Sequence, residues 1–188
     1  MSVANPMTIS ELLNIRSRAV SIQAFWIITF AFLIAIGAQI EIPHQPVPYT
    51  MQTFFVLLAG ALLGARNGAI SMGVYLGVGL AGLPVFSGAG FGLMKILGPT
   101  GGYLLSFPIA ALVIGWITEK QKGFPWTIVA MTIGLLIIFT LGTLQLKIVT
   151  GMDWMSAFGS GFLIFSWWDV LKLTAAATIY HQFIRNKR

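Results

Sequence analysis

Residues 124–149 read FPWTIVAMTIGLLIIFTLGTLQLKIV, a run whose one charged residue is Lys147. At about 1.5 Å of rise per residue, a helix of this length outspans the roughly 30 Å hydrocarbon core of a bilayer. The segment therefore reads as a membrane-spanning helix. Working outward, apolar runs bounded by turn and charge signals predict five more, at Val20–Ile40, Met51–Ala65, Gly68–Leu83, Gly101–Thr118 and Gly161–Phe183. The expected fold is an all-α integral membrane protein, a six-transmembrane-helix bundle forming one membrane domain. In this reading 1–19 is a cytoplasmic or interfacial segment, 20–184 the bundle and 185–188 a basic tail. Met51–Ala65 and Gly68–Leu83 are short for a full crossing and rich in glycine and alanine, so they should pack against protein more than lipid.

Composition agrees. Of 188 residues, 57% are apolar and 9% charged, with a mean hydropathy of +0.87. A soluble domain has about a quarter of its residues charged, so this chain could not keep its surface wet. Six spans would use about 120 residues, leaving no second domain. Cysteine is absent, which removes disulfides, thiol nucleophiles and thiolate metal sites. His44 and His181 stand in no ligand spacing, so metal catalysis is disfavoured and no metal site is expected. The net charge of +6 comes from basic residues beside apolar spans, which suits anionic lipid better than nucleic acid. Residues 1–19 are polar and lack a secretory signal pattern, so the N-terminus is expected to be retained. Thr8 and Glu11 have capping-box spacing, predicting a short interfacial helix.

Lysine and arginine set the orientation, because cytoplasmic loops keep positive charge. With the N-terminus inside, Arg16, Arg18, Arg66, Lys120, Lys122, Arg185, Lys187 and Arg188 are inside, whereas Lys95 and Lys147 are outside. Both ends are then cytoplasmic and the span number even. The same bias disfavours a dual-topology transporter.

Two outside loops stand out. EIPHQPVPYT (41–50) holds three prolines, predicting a stiff, extended strap. Residues 82–102 contain seven glycines among largely apolar neighbours. Such a segment would leave hydrophobic surface in water, so it is expected to fold back over the bundle as a lid.

Asp169 and Lys172 lie inside the last span, in SWWDVLKLTAAA. Their spacing puts them on one helical face, close enough to pair. Each costs about 2.5 to 3.5 kcal/mol at a membrane helix centre, so such residues usually face an interior or an aqueous cavity. The neighbouring Trp167 and Trp168 suggest the outer interface. The pair could simply neutralise itself for insertion, or it could anchor a polar ligand; the spacing does not name that ligand. Gln52 and Thr53 begin the second helix and Tyr103 the fourth, so four chain regions converge at one depth. Ala31 with Ala35, Gly60 with Gly64 and Gly73 with Gly77 recur at four-residue spacing, which lets helices approach closely. Internal packing is the reading for the glycines, and docking of a partner is open to the alanines. No P-loop, GxSxG or paired-histidine motif occurs, so ATP-driven transport would need another polypeptide as motor.

PVPYTMQTFFVLLAGALLG (46–64), GLAGLPVFSGAGFG (79–92), GPTGGYL (98–104) and DVLK (169–172) carry a specific resemblance over most of the chain from about residue 20. The sequence resembles the BioY family, the biotin-specific substrate-binding S components of energy-coupling factor (ECF) transporters. The resemblance implies six helices with cytoplasmic ends in the bacterial plasma membrane, and high-affinity capture of biotin at an outer site closed by the first and third loops. It further implies assembly with a transmembrane coupling protein, the T component, and two ATP-binding-cassette ATPases, in which the binding protein topples to deliver its ligand. The family's AxxxA contact falls on Ala31 and Ala35. On this reading Asp169 and Lys172 meet polar ends of biotin, Gln52 and Tyr103 add hydrogen bonds, and Phe86 and Trp168 form apolar wall. Gly98, Thr100 and Gly101 offer close-approaching backbone, and Tyr49 is a further ligand-binding candidate. No cofactor is implied beyond the ligand. Lys95 departs from a stretch usually less charged, and whether it reaches ligand or solvent stays open.

Two other classes compete. A stand-alone secondary transporter of a small vitamin-like solute is disfavoured by the absence of duplicated halves. A membrane enzyme is disfavoured because no nucleophile and base are suitably spaced.

Overall fold

The structure, a computed structural model, describes residue 15 and residues 19–163 and 167–185. The capping box and the residues of the basic tail after Arg185 lie outside them. The architecture is overwhelmingly helical. In chain order it runs α1 (Val20–Gln39), β1 (Glu41–Ile42), β2 (Tyr49–Thr50), α2 (Gln52–Leu63), α3 (Ala65–Leu80), a 3-10 turn (Ser87–Ala89), α4 (Leu93–Leu97), α5 (Gly101–Lys120), α6 (Phe124–Thr150), α7 (Trp154–Gly161) and α8 (Trp167–Arg185).

Three of the described helices, α1, α5 and α6, are long and apolar enough to cross a bilayer by length and composition. Their outward faces carry Phe25, Ile28 and Phe32 on α1, Leu105, Ile109 and Leu112 on α5, and Val129, Leu136 and Leu144 on α6, all exposed. A surface like that is stable against acyl chains and not against water. The short α2 is the centre of the bundle: Val56, Leu57, Ala59 and Ala61 are fully buried, with α1, α3, α5 and α8 packed around it.

Expected and observed boundaries differ where backbone chemistry intervenes. α2 and α3 are separated by Gly64 alone, at φ +85°, a conformation that glycine adopts without steric cost. The Glu119 carboxylate, from the end of α5, accepts from the first amide of α3, Ala65 N–H, at 3.0 Å. That contact satisfies one of the orphan donors of a helix start.

The strap is not extended. Glu41 pairs with Thr50 and Ile42 with Tyr49 in an antiparallel hairpin. The reason is local: Met51 N–H donates to the carbonyls of Gly37 and Ile40 at 3.0 and 3.1 Å, so the chain must return to the end of α1. Pro43, Pro46 and Pro48 lack amide donors and fall in the turn between the paired residues.

Residues 82–100 fold back onto the bundle through Phe86, but Leu83, Phe91 and Leu93 stay exposed, so the expected covering of the segment's apolar surface is only partial. Phe86 is fully buried, edge-on to Tyr75 with ring centroids 5.4 Å apart. Its ring fills the space where a side chain on Gly79 would begin. Gln39 fixes the flap from α1, donating to the Phe86 carbonyl at 3.0 Å and accepting from Ala89 N–H at 3.1 Å.

The last span is shorter than read. Gly161 ends α7, a separate helix capped by Asp153, whose Oδ2 accepts from the amides of Met155 and Ser156 at 3.0 Å each. Hydrogen bonding from the Ser156 side chain first, and then from these two amides, holds the exposed carboxyl below the ordinary aspartate value. α8 starts at Trp167, which leaves Asp169 in its first turn, where a carboxylate complements the helix dipole.

Candidate functional site

α8 brings Asp169 and Lys172 inward, at 2% and 8% exposure. Lys172 Nζ lies 2.7 Å from Asp169 Oδ1. It also donates to the Thr50 carbonyl at 3.0 Å and to Thr53 Oγ1 at 2.8 Å, while the Thr53 hydroxyl donates to Asp169 Oδ1 at 3.2 Å. A buried ion pair is sustained only when its remaining hydrogen-bonding positions are met. Here all three ammonium N–H groups are met, and among the described residues no contact of Asp169 Oδ2 joins this network.

The pair lies in the wall of a cavity of about 60 Å³, room for about two waters at ~30 Å³ each. The strap and the start of α2 supply Val47, Pro48, Tyr49, Thr50, Gln52 and Thr53. The flap adds Ser87 and Thr100, and α5 and α6 add Tyr103, Leu104, Phe107, Ile138 and Phe139. Polar groups thus concentrate on the α2 and α8 side, and aromatic and aliphatic surface on the α5 and α6 side. This division suits a compact solute with a hydrogen-bonding edge and an apolar body.

Seven of the residues read from sequence meet in this lining: Asp169, Lys172, Gln52, Thr53, Tyr103, Tyr49 and Thr100. Two of them are already committed elsewhere. Gln52 donates to the Tyr75 hydroxyl at 2.7 Å and accepts from Thr50 Oγ1 at 3.0 Å, and Tyr103 donates its hydroxyl to the Gly161 carbonyl at 2.9 Å. Both hold the wall in place. Gly98 lines a second, outer chamber. Gly101 begins α5 in contact with the Ile96 carbonyl and Gln145, where a side chain would not fit. The structure places Phe86 behind the wall and not in it, because its ring is taken up by Tyr75 and Gly79. Trp168 is 55% exposed on the outside of α8, one position round the helix from the inward Asp169, and is absent from the lining.

Ala31 is buried against the chain's own core, and Ala35 is half-buried beside the exposed Ile28, Phe32 and Ile36. Sequence reasoning missed Val47, Pro48, Thr50, Ser87, Leu104, Phe107, Ile138 and Phe139. One signal was present for α5: Tyr103 and Phe107 are four residues apart, hence on one face. Lys95 donates to the Ser87 carbonyl at 3.0 Å, from the outer chamber.

The BioY family model matches residues 8–188. The chain is 42% identical over 150 residues to the biotin transporter BioY of Thermotoga maritima, covering 80% of this chain and 88% of that protein. It is 45% identical over 145 residues to the probable biotin transporter BioY of Lysinibacillus sphaericus, with 71% and 72% covered. The crystal structure of the S-component for biotin from an ECF-type ABC transporter superposes with a TM-score of 0.81 over 95% of each chain at 24% identity, which shows a common fold. Taken with the match over nearly its whole length, these likenesses establish that the chain belongs to the BioY family.

Proposed function

We propose that this multi-pass plasma-membrane protein is the biotin-binding component of an ECF-type uptake transporter. It captures biotin from outside and delivers it inward together with a T component and two ATPases. The proposed topology has six membrane segments, with α4 and α7 as outer-loop helices and both termini cytoplasmic. Its relatives are transporters, not enzymes.

The observation that carries the reading is the cavity beneath strap and flap, with one ion pair on its polar side and aromatic wall opposite. Biotin offers two ureido N–H donors, a ureido carbonyl, an apolar ring and chain, and a terminal carboxylate. Asp169 Oδ2 is the acceptor suited to the ureido N–H groups. Leu104, Phe107, Ile138 and Phe139 suit the apolar body. Lys172 has each N–H engaged, so the carboxylate is assigned toward the outer chamber, on the side of Lys95.

Mass spectrometry of the small molecule that co-purifies in mild detergent, followed by calorimetry with biotin, tests this. Biotin is expected in the preparation and bound at one site per chain. Calorimetry on ligand-depleted protein showing no heat with biotin would reject the reading.

A further inference from the structure

The cavity does not end at the flap. A second chamber of about 360 Å³ lies between the strap hairpin and residues 87–100, and it shares Pro48, Ser87 and Thr100 with the inner cavity as common wall. Two opposite charges line it, Glu41 from β1 and Lys95 from α4. Neither joins an ion pair among the described residues. Among the described residues Glu41 Oε2 is buried without a hydrogen-bond partner, a condition that costs free energy until a donor arrives. Lys95 gives one N–H to the Ser87 carbonyl at 3.0 Å, which leaves two.

We infer that the outer chamber is a subsite for amide-extended forms of the ligand, in which the carboxyl is joined to an amino acid bearing both an ammonium and a carboxylate. The inference rests on the biotin reading above. Free biotin brings one anion to this chamber, which suits Lys95 but lies near Glu41 and leaves Glu41 Oε2 without a donor. A zwitterionic end answers both charges at once: its ammonium donates to Glu41 and its carboxylate accepts from Lys95. The neutral amide then occupies the shared neck at Pro48, Ser87 and Thr100. Bare backbone at Gly88 and Gly98 leaves room for the connecting chain.

The test is calorimetry on ligand-depleted protein with two probes, biotin and Nε-biotinyl-lysine, using the native chain, Glu41→Gln and Lys95→Met. The native chain is expected to bind both probes at the same site, each displacing the other. Glu41→Gln should weaken Nε-biotinyl-lysine by about five- to tenfold, the loss of a charge-assisted hydrogen bond, and should not weaken biotin. Lys95→Met should weaken both probes. If biotin binds and Nε-biotinyl-lysine does not displace it, or if Glu41→Gln weakens both alike, the subsite is refuted and the biotin reading survives. If biotin itself does not bind, both fall.

Discussion

Gln52 Nε2 donates to the Tyr75 hydroxyl at 2.7 Å, and that hydroxyl donates in turn to the Val85 carbonyl at 3.2 Å. A cavity-wall residue is thereby linked, through one buried phenol, to the flap. Tyr75→Phe keeps the ring against Phe86 but leaves the Gln52 amide and the Val85 carbonyl without this partner. The expected loss of stability is about 1–3 kcal/mol. Hydrogen exchange of the Phe86 and Gly90 amides, which bond to each other's carbonyls, should accelerate. Unchanged exchange at those two amides would show that the flap is held without Tyr75.

The ion pair predicts an asymmetry. Lys172→Met leaves a carboxylate 2% exposed with no cation, and breaking a buried pair this way costs about 3–5 kcal/mol. Asp169→Asn with Lys172→Met together should cost less than Lys172→Met alone, because no uncompensated charge remains. Thermal unfolding in detergent measures both, and equal or larger loss in the double variant would contradict the account. Biotin binding should weaken in all of them, Asp169→Asn alone included.

This pair is legible in the sequence, because i, i+3 spacing inside an apolar helix leaves few geometries. So is the convergence of Gln52, Thr53 and Tyr103 with it. The apolar wall is not: Ile138 and Phe139 sit in a run where lipid-facing, core and cavity positions share one composition. Trp168 was misplaced because α8 starts at Trp167, and one position of rotation turns its ring outward. The strap was misjudged because proline content reports backbone stiffness, whereas the Met51 hydrogen bonds that close the hairpin come from α1.

Asp153 gives a pH dependence. Its folded carboxyl titrates below the ordinary value of 3.8, so its support of α7 is complete above that value and is lost as pH falls through the depressed one. At neutral pH, Asp153→Ala should speed exchange of the Met155 and Ser156 amides, the two that it accepts from. In the native protein the same two amides should lose protection, relative to their intrinsic exchange rates, only on acidification. Identical exchange in the variant and native chains at neutral pH would contradict the cap.

The proposed assembly with a T component predicts different outcomes at Ala35 and Ala31. Ala35→Trp adds bulk on the half-buried flank of α1 beside Ile28 and Ile36 and should abolish co-purification with the T component while leaving biotin affinity within about twofold. Ala31→Trp instead overfills the chain's own core and should lower stability by about 1–3 kcal/mol. Intact complexes with Ala35→Trp would exclude this face as the contact.

Lys172 has three hydrogens and three partners, and two of those partners, Thr50 and Thr53, belong to the segment where the strap enters α2. A newcomer that claims one of those hydrogens must first dislodge an incumbent. Where that incumbent is Thr50 or Thr53, and not Asp169 on the helix itself, the arrival loosens the hairpin at its root.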